Sequence, residues 1–324
     1  MEKNAKIYIA GHRGLVGSAI VRELEAGGFD NLVFRTSKEL DLTDSSAVNK
    51  FFEDEKPDYV FLAAARVGGI KANDTYPADF IRINLQIETN VIHAAYEHDV
   101  QKLLFLGSSC IYPKFAPQPM KEEHLLTGPL EPTNDPYAIA KIAGITMCKA
   151  YHRQHGSNFI AAMPTNLYGP GDNFDLETSH ALPALIRKLH DAKTRDDKVV
   201  ELWGTGSPMR EFLYVDDLAR ALVFMMDRFD APGGSMADEI WAYYLNVGTG
   251  KDCTIKELAE TIASVVGFNG LVKWNTSMPD GTPRKLLDVT RINDLGWKAS
   301  TSLEQGIRKT YEWFKATGGK KARR

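Results

Sequence analysis

Two residues of this sequence have types and a spacing that suit proton transfer. Tyr137 and Lys141 stand four residues apart in a stretch that opens with Asp135 and Pro136. Because proline suits the first turn of a helix, the pattern predicts a helix that carries both side chains on one face. A phenol has a reference pKa of about 10, and a neighbouring ammonium group favours its ionised form and moves the pKa towards neutrality. Such a tyrosine can act as a general acid or base.

A second stretch, residues 107–112, places Ser108 and Cys110 directly after an apolar run at residues 102–106 that reads as a buried strand. In an open parallel sheet, ligands bind beyond the carboxyl ends of the strands, so both side chains are expected at a ligand site. A thiol of reference pKa about 8.5 can serve as a base if its thiolate is stabilised. The alternatives are a serine that caps the strand end and a cysteine that is buried and inert.

Composition narrows the class of protein. The chain has 324 residues, 44% of them hydrophobic, which allows one large α/β domain or two unequal ones. A formal net charge of -3 argues against binding to nucleic acid or to an anionic membrane. The widely spaced Cys110, Cys148 and Cys253 predict reduced thiols and no structural metal. With no apolar signal-peptide core and no membrane-length apolar segment, we expect a cytosolic protein.

The amino-terminal stretch predicts a dinucleotide-binding turn. Residues 6–10 read as a buried strand, a G-x-x-G-x-x-G loop follows, and a helical pattern begins at residue 18. The first glycine allows the tight turn, the second lets the backbone approach a pyrophosphate, and the third lets the helix pack on its strand. The predicted cofactor-binding residues of this loop are Gly11, His12, Arg13, Gly14, Leu15, Val16 and Gly17.

The residues after the second predicted strand favour NADP over NAD. Residues 31–35 read as that strand, and Arg35 stands where sites for NAD usually offer a carboxylate to the ribose hydroxyl. A guanidinium at that place, together with Arg13, suits a 2′-phosphate. Asp41 follows, with two readings of similar weight: it hydrogen-bonds the adenine, or it closes a turn.

Strands and helices alternate through the first half of the chain, which predicts an α/β fold with a Rossmann-type doubly wound parallel sheet. The pattern gives strands at 58–65, 102–106 and 158–163, a crossover helix at 84–98, and an irregular active-site loop at 113–136. A polar loop after residue 163 is expected to line the nicotinamide.

The second half of the sequence is less regular and predicts a smaller α/β substrate-binding lobe at the carboxyl end. We expect helices at 182–192 and 255–266 and a strand at 199–203. The predicted domain organisation is an NADP-binding Rossmann domain at 1–170, to which elements near 212–250 return, and a substrate-binding lobe at 171–324.

Six motifs together carry a resemblance to a known family. They are GHRGLVG (11–17), AARVGGI (64–70), GSSCIYP (107–113), PYAIAK (136–141), MPTNLYGP (163–170) and DGTPRK (280–285). The chain resembles the extended short-chain dehydrogenase/reductases over nearly its whole length, and within them the GDP-L-fucose synthase family. The resemblance implies an NADPH-dependent enzyme that inverts the two ring carbons beside the ketone of GDP-4-keto-6-deoxy-D-mannose and then reduces the ketone. It also implies a homodimer built on helices of the Rossmann half.

The resemblance also assigns roles to residues. Tyr137 would give a proton to the developing alkoxide, Ser108 would hydrogen-bond the same oxygen, and Lys141 would bind the nicotinamide ribose. Cys110 and His180 would be the base and acid of the two inversions. The further cofactor-binding residues that it implies are Leu106, Gly107, Ser109, Pro164, Thr165, Asn166, Leu167 and again His180.

For the GDP-sugar, the resemblance points to the lobe. Lys188 and Arg210 would neutralise the diphosphate, Trp203 would offer an apolar face, and Asp280 would accept hydroxyl groups. The neighbouring Arg187 leaves open which of the two consecutive cations contacts the diphosphate.

Three other functions differ in what they require of the sequence. A sugar-nucleotide dehydratase needs an Asp-Glu pair where this chain has Ser109 and Cys110. An NAD-dependent nucleotide-sugar 4-epimerase shares the serine, tyrosine and lysine and is the alternative function. A non-catalytic NADP-binding scaffold is a weaker alternative, because such proteins typically lose the tyrosine or the lysine.

Overall fold

A computed structural model of the protein describes residues 1–176, 178–278 and 280–320, without the side chains of residues 70 and 71. The strands in it are β1 (Ile7–Ala10), β2 (Leu32–Val33), β3 (Tyr59–Leu62), β4 (Lys102–Leu106), β5 (Phe159–Pro164), β6 (Asn166–Tyr168), β7 (Val199–Trp203), β8 (Met209–Tyr214), β9 (Tyr244–Val247), β10 (Asp252–Thr254), β11 (Leu271–Asn275) and β12 (Arg284–Lys285). The α-helices are α1 (Leu15–Ala26), α2 (Ser45–Glu55), α3 (Ile70–Thr75), α4 (Pro77–Glu97), α5 (Asp135–His155), α6 (Ala181–Thr194), α7 (Val215–Arg228), α8 (Ile255–Val266), α9 (Thr290–Asp294) and α10 (Leu303–Thr317).

The main sheet is parallel, in the order β2-β1-β3-β4-β5-β9. Its central strands are apolar on both faces, as expected for strands that helices cover on both sides. The order in which the chain adds strands reverses at β1. Strand β2 lies on one side of β1, and the later strands follow one another on the other side. In such sheets the crevice beyond the carboxyl ends of the strands is the usual ligand site. The predicted doubly wound Rossmann-type fold is therefore confirmed.

Smaller sheets build the second part of the molecule. Strand β8 pairs antiparallel with β10 and parallel with β12 and β6, and β7 pairs in parallel with β11. One hydrophobic cluster fills the main sheet and its helices, and another lies among α6, α8, α10 and β7. Residues of α7, of β9 and of 287–297 belong to the first cluster. The boundary at residue 170 stays a prediction.

Helix ends follow local chemistry. Helix α8 begins at a capping box in which Thr254 accepts from the N–H of Glu257 and the Glu257 carboxylate accepts from Thr254, and it ends at Gly267 with φ +76°. Helix α5 has Pro136 in its first turn, as predicted, and ends at Gly156 in the left-handed conformation. These terminal signals explain why both helices were recognisable in the sequence.

Several local predictions were wrong. The second strand is two residues long and not five, and α4 begins at Pro77 instead of residue 84, because its first turn carries proline and polar residues that hide its period. The polar loop predicted after residue 163 is partly the strand β6, because its backbone pairs with β8. Across the described part of the chain, no helix is both long enough and apolar enough to span a bilayer.

Candidate active site

The glycine loop lies between β1 and α1 and has the shape that a dinucleotide requires. Gly11 has φ +87°, and a Cβ there would lie 2.8 Å from the backbone nitrogen of Ala64. A Cβ at Gly17 would collide with the carbonyl oxygen of Gly11. Helix α1 starts at Leu15, with Gly14 as its N-cap. The first backbone N–H groups of a helix have no helical partners, so this end of α1 suits a pyrophosphate.

His12 leaves a polar atom available beside that loop. Its ring stacks on Phe34 with 4.7 Å between the ring centres. Its Nδ1 is buried, and no group of the described residues hydrogen-bonds to it. Burial lowers the pKa of His12, and the charge of Arg13 lowers it further. An unpartnered buried nitrogen next to a phosphate-binding loop fits a bound dinucleotide.

Two guanidinium groups approach the predicted 2′-phosphate position. Nη2 of Arg35 lies 2.5 Å from Oε1 of Glu55, and the guanidinium also lies 5.5 Å from the centre of the Phe51 ring. Hydrogen bonds from Thr36 hold the pKa of Glu39 below its usual value, and Arg35 and Arg13 lower it further. Both arginines therefore act on the same small region, as a phosphate-binding pair would.

Asp41 closes a turn. Its Oδ1 accepts hydrogen bonds from the backbone N–H of Thr43 at 2.9 Å and from the Thr43 hydroxyl at 2.8 Å. These two bonds lower the pKa of the Asp41 carboxyl. Of the two readings of the sequence, the geometry favours the turn, and an adenine contact would have to use the other oxygen.

The end of β4 brings the predicted serine stretch to the same edge of the sheet. Leu106 is the last residue of β4, and the N–H of Gly107 donates to the carbonyl of Ala162 at 2.9 Å. A Cβ at Gly107 would collide with the side chain of Met163, so glycine lets the two strand ends meet closely. Ser109 is buried in the turn that follows.

The end of β5 turns into β6 through Pro164, Thr165, Asn166 and Leu167. The N–H of Thr165 donates to the carbonyl of Val247 at 3.0 Å, and Nδ2 of Asn166 donates to the carbonyl of Glu211 at 2.7 Å. These bonds fix the backbone beside the predicted nicotinamide position.

Ser108 links the tyrosine and the cysteine. It caps the short 3-10 helix Ser109–Ile111, and its Oγ accepts from the N–H of Cys110 at 3.4 Å. The Ser108 hydroxyl also hydrogen-bonds to Tyr137 and to the thiol of Cys110, and each of these bonds lowers the pKa of its partner. A ketone oxygen placed against Ser108 would thus meet the Tyr137 hydroxyl as well.

The expected effect on Tyr137 was wrong in direction. Burial raises the pKa of Tyr137 well above its usual value, and the charges of Cys110 and Glu88 raise it further, against the hydrogen bond from Ser108. Burial is the main reason, and the surroundings of Lys141 explain why its charge does not offset this effect. Its Nζ is 5.9 Å from the centre of the Tyr137 ring but 3.0 Å from Oε1 of Glu88, so a carboxylate offsets the ammonium charge. In this state Tyr137 keeps its proton, which suits a general acid.

Cys110 is partly buried near two cations. Burial raises the pKa of its thiol, while Lys285, the hydrogen bond from Ser108 and Lys141 oppose that shift, in this order of size. Burial lowers the pKa of the Lys285 ammonium, and the nearby Arg210 lowers it further. The thiol is therefore protonated at rest. Of the groups around it, Lys285 favours the thiolate most strongly.

His180 is the N-cap residue of α6 and faces the same cation. The residue is exposed at the surface. The protein around its imidazole nevertheless removes water from the charged form and so lowers its pKa, and the charge of Lys285 lowers this pKa further. Ser179 lies next to the second glycine of the 64–70 motif, since a Cβ built on Gly69 would stand 3.8 Å from the Ser179 carbonyl oxygen. Lys285 thus lies close enough to both Cys110 and His180 to lower the pKa of each.

In the lobe, the structure separates the two consecutive cations of α6. Nε of Arg187 is 2.7 Å from Oδ2 of Asp191, which holds it along the helix. Nζ of Lys188 instead lies 5.4 Å from the centre of the Trp203 ring, and that ring is 65% exposed. Lys188 and Trp203 together place a cation beside an exposed aromatic face on the lobe.

Arg210 and Asp280 also lie together. A Cβ at Gly281, which follows Asp280, would be 3.0 Å from Nη2 of Arg210. Asp280 accepts from the N–H of Thr205 at 2.9 Å and from its hydroxyl at 2.7 Å, and these bonds lower the pKa of the carboxyl. Asp280 therefore also has a structural role, as it ties its loop to the turn between β7 and β8.

Comparison with known proteins identifies the family. The model of the "NAD dependent epimerase/dehydratase family" matches residues 7–237, well over half of the chain. The chain belongs to the NAD dependent epimerase/dehydratase family. Within this family the chain is 60% identical over 313 residues to GDP-L-fucose synthase 1 of Arabidopsis thaliana, covering 97% of this chain and 94% of that protein. It is 58% identical over 316 residues to GDP-L-fucose synthase of Escherichia coli K12, covering 95% and 96%. The predicted resemblance is confirmed.

A solved structure has the same fold as this member of the NAD dependent epimerase/dehydratase family. GDP-mannoheptose C4 reductase from Campylobacter jejuni, a structure with NADP bound, has a TM-score of 0.88 and 42% identity, covering 97% of this chain and 99% of that one. The orphaned nitrogen of His12 and the glycine cradle provide the fit for such a cofactor in this chain.

Two site residues of this epimerase/dehydratase family member were not predicted from the sequence. Lys285 was part of a recognised motif, but nothing in its spacing placed it beside Cys110. Glu88 lies in the apolar stretch of α4, and a carboxylate on the buried face of a helix was the available signal. Within residues 1–176, 178–278 and 280–320, no group of three or more His, Cys, Asp or Glu side chains is arranged to hold a metal ion.

Proposed function

We propose that this protein is an NADPH-dependent epimerase and reductase that converts GDP-4-keto-6-deoxy-D-mannose into GDP-L-fucose. The observation that carries the proposal is that one hydroxyl, Ser108, hydrogen-bonds both the Tyr137 phenol and the Cys110 thiol. A reductase acid and an epimerase base are thereby within reach of one sugar ring. The close relatives named GDP-L-fucose synthase support the same substrate and cofactor.

In the two inversions, Cys110 and His180 exchange protons with the carbons beside the ketone. Cys110 removes a proton from one face of the ring, and the resulting enolate takes a proton on the other face, where His180 is the proposed donor. Both groups are neutral at rest, so the Cys110 thiol must give up one proton to become the base and His180 must take up one proton to become the donor. The ammonium of Lys285 favours the thiolate, and it also keeps His180 from holding a proton permanently.

In the reduction, Tyr137 protonates the ketone oxygen and Ser108 hydrogen-bonds the same oxygen as its negative charge develops. NADPH, when bound, supplies the hydride. Lys141 binds the nicotinamide ribose, and the glycine loop with Arg13 and Arg35 holds the phosphates. The raised pKa of Tyr137 keeps its hydroxyl protonated until the ketone oxygen accepts the proton.

The substrate nucleotide is proposed to lie in the lobe. Lys188 and Arg210 supply positive charge for the diphosphate, and the exposed ring of Trp203 supplies a face for an apolar surface. Arg187 is the weaker candidate, because Asp191 already binds it. Asp280 accepts hydroxyl groups with lone pairs that Thr205 does not use.

The proposal extends to assembly and location. We propose a homodimer built on helices of the Rossmann half, as the resemblance implied. A cytosolic location is supported by Cys110, Cys148 and Cys253, which are all free thiols in the structure.

NADPH absorbance tests the proposed function directly. The purified protein should oxidise NADPH when GDP-4-keto-6-deoxy-D-mannose is added, and Tyr137→Phe should slow this by roughly a hundredfold or more, because a positioned general acid contributes on that scale. In deuterated water, Cys110→Ser should stop exchange of the ring protons while Kd for NADPH stays the same.

Three outcomes would contradict the proposal, wholly or in part. Well-folded protein that binds NADPH but does not oxidise it with this substrate would favour the scaffold. Epimerisation at the 4-position of the sugar without net NADPH oxidation would favour the nucleotide-sugar 4-epimerase. Unchanged ring-proton exchange in Cys110→Ser would remove Cys110 from the base role.

A further inference from the structure

Lys141 and Glu88 form an ion pair that is closed off from solvent. Nζ of Lys141 on α5 lies 3.0 Å from Oε1 of Glu88 on α4, and the two side chains are 2% and 1% exposed. Among the described residues, neither carboxylate oxygen of Glu88 has a partner that meets hydrogen-bond geometry, so the ion pair with Lys141 is the polar contact that this carboxylate makes. Lys141 is thus held from the side of α4, a helix that carries none of the site residues predicted from the sequence.

A buried carboxylate at this place is unfavourable for the fold taken alone. Removing a charge from water costs more than a close ion pair usually returns, and an apolar residue of similar size packs at least as well between two helices. The residues one turn after Glu88 on the same face of α4, Val91 and Ile92, are apolar, whereas Asn84, one turn before it, is polar and hydrogen-bonds the backbone of Arg66 and Phe80. A gain in stability therefore does not explain this carboxylate, whereas its electrostatic effect on Lys141 does.

The remaining contacts of Lys141 leave its position to Glu88. Its Nζ lies 4.5 Å from the centre of the Phe105 ring and 5.9 Å from the centre of the Tyr137 ring. Aromatic faces attract a cation but do not fix it at one point. Helix α5 itself is fixed against β4, because a Cβ at Gly144 would collide with Phe105. With the backbone fixed and the rings adaptable, the Glu88 carboxylate determines where the ammonium rests.

We propose that Glu88 is a positioning residue that holds the charged ammonium of Lys141 beneath Tyr137 and limits how strongly this cation acts on the Tyr137 hydroxyl. The inference rests on the proposed roles of Tyr137 and Lys141 in ketone reduction. Glu88 supplies the counter-charge that the buried ammonium of Lys141 would otherwise lack. At the same time it keeps the phenol protonated by offsetting that charge.

The pKa shifts of the titratable groups around Glu88 are consistent with this positioning role. Burial raises the pKa of Glu88, and Lys141 opposes that shift. Burial is also the main cause of the raised pKa of Tyr137 and of Cys148, both on α5, and the charge of Glu88 raises each further. Lys141 in turn lowers the pKa of Cys110. The charges of Glu88 and Lys141 thus affect the two proposed catalytic groups beside Ser108: Glu88 acts on the acid Tyr137, and Lys141 acts on the base Cys110.

The pH profile of NADPH oxidation tests the inference. In Glu88→Gln, Lys141 loses its counter-ion and Tyr137 loses a charge that raises its pKa, so the phenol gives up its proton at lower pH. We expect the alkaline limb of kcat to move to lower pH by about one unit, which means a loss of about tenfold above the limb and little change below it. KM for the GDP-sugar should stay the same, and Glu88→Asp, which keeps the charge, should restore most of the limb.

The matched control is Asp217→Asn. Asp217 is another buried carboxylate, on α7, and it accepts from the N–H of Thr301 at 2.8 Å. Its variant should lose stability without a shift of the limb. If Glu88→Gln lowers kcat equally at every pH, as a general loss of stability would, the positioning role is wrong.

A measurement without turnover covers the case in which Glu88→Gln folds poorly. Denaturant unfolding of Glu88→Gln, Lys141→Met and the double variant forms a double-mutant cycle. Because each single change leaves one buried charge unpaired, the double variant should lose less stability than the two single variants together. Strictly additive losses would show that the two groups do not depend on each other and would overturn the inference.

The outcomes separate this inference from the proposed function. Retained reduction in Tyr137→Phe would remove the acid role of Tyr137 whatever Glu88 does. A strongly impaired Tyr137→Phe together with an unmoved alkaline limb in Glu88→Gln would leave the proposed function standing and remove Glu88 alone.

Discussion

The carboxylate of Glu211 accepts a hydrogen bond from the backbone N–H of Gly250 at 2.7 Å. The same carboxylate accepts from the N–H of Thr249 at 2.6 Å and from the N–H of Leu287 at 3.0 Å. Glu211 lies on β8, Thr249 and Gly250 follow β9, and Leu287 follows β12. One fully buried carboxylate therefore joins the end of the main sheet to the strand that carries Lys285.

Glu211→Gln should destabilise the protein by roughly 2–4 kcal/mol, because an amide cannot accept from all three N–H groups and buried donors without partners are costly. Thermal or denaturant unfolding measures this loss. As a control, Glu304→Gln removes an exposed carboxylate that pairs with Arg308 on α10 at 3.0 Å and should leave the unfolding midpoint nearly unchanged. A stability equal to that of the parent in Glu211→Gln would contradict the role of this carboxylate as a joint.

Lys285→Met should slow alkylation of Cys110 by iodoacetamide. Burial raises the pKa of Cys110 and the Lys285 ammonium opposes that shift, so removing the cation raises the pKa further and leaves less thiolate at a given pH. We expect a drop of about tenfold at pH 8, the effect of one pKa unit, and a rate that rises with pH in both proteins. Mass spectrometry of the labelled peptide gives the rate.

Cys253 provides an internal control for that experiment. It lies on β10, partly buried, and burial together with Glu257 and Asp252 raises its pKa to about 11. Its labelling rate should not respond to Lys285→Met. If Cys110 reacts equally fast in both proteins, Lys285 does not stabilise the thiolate.

Arg35→Ala should weaken binding of NADPH while leaving NADH nearly unaffected. The guanidinium of Arg35 is proposed to contact the 2′-phosphate, which NADH lacks, and loss of a charged hydrogen bond of this kind costs about tenfold or more in Kd. Titration by cofactor fluorescence gives both constants. Glu55→Gln is the matched variant, since it removes the carboxylate that pairs with Arg35 and should leave NADPH binding intact or tighter. An unaltered preference in Arg35→Ala would show that this residue is a surface cation bound to Glu55 and nothing more.

Lys188→Ala and Arg187→Ala should differ in their effect on the GDP-sugar. Lys188 lies against the exposed Trp203 ring, whereas Arg187 is held by Asp191. We expect KM for the substrate to rise by about tenfold in Lys188→Ala, as befits a lost contact to a diphosphate, with little change in Arg187→Ala. Steady-state kinetics at saturating NADPH distinguish the two. The reverse order of effects would assign the diphosphate to Arg187.

The sequence by itself determined the parts of the protein whose signal is local. The glycine loop, the helix start at Pro136 and the span of α8 depend on residues that are neighbours in the chain, and each was predicted there. The pairing of Tyr137 with Lys141 on one helical face follows from helix geometry in the same way. Two short elements, β2 and β6, were misjudged, because a strand of two or three residues is defined by its partner strand and not by its own pattern.

Only the tertiary structure decided the electrostatics of the site. Glu88 stands 53 positions before Lys141, and Lys285 stands 175 positions after Cys110, so no local pattern reveals either contact. The expected lowering of the Tyr137 pKa failed for this reason, since burial raises that pKa and the charges of Cys110 and Glu88 raise it further. A charge acts through space according to its distance and its burial, and both quantities are set when distant segments of the chain pack together.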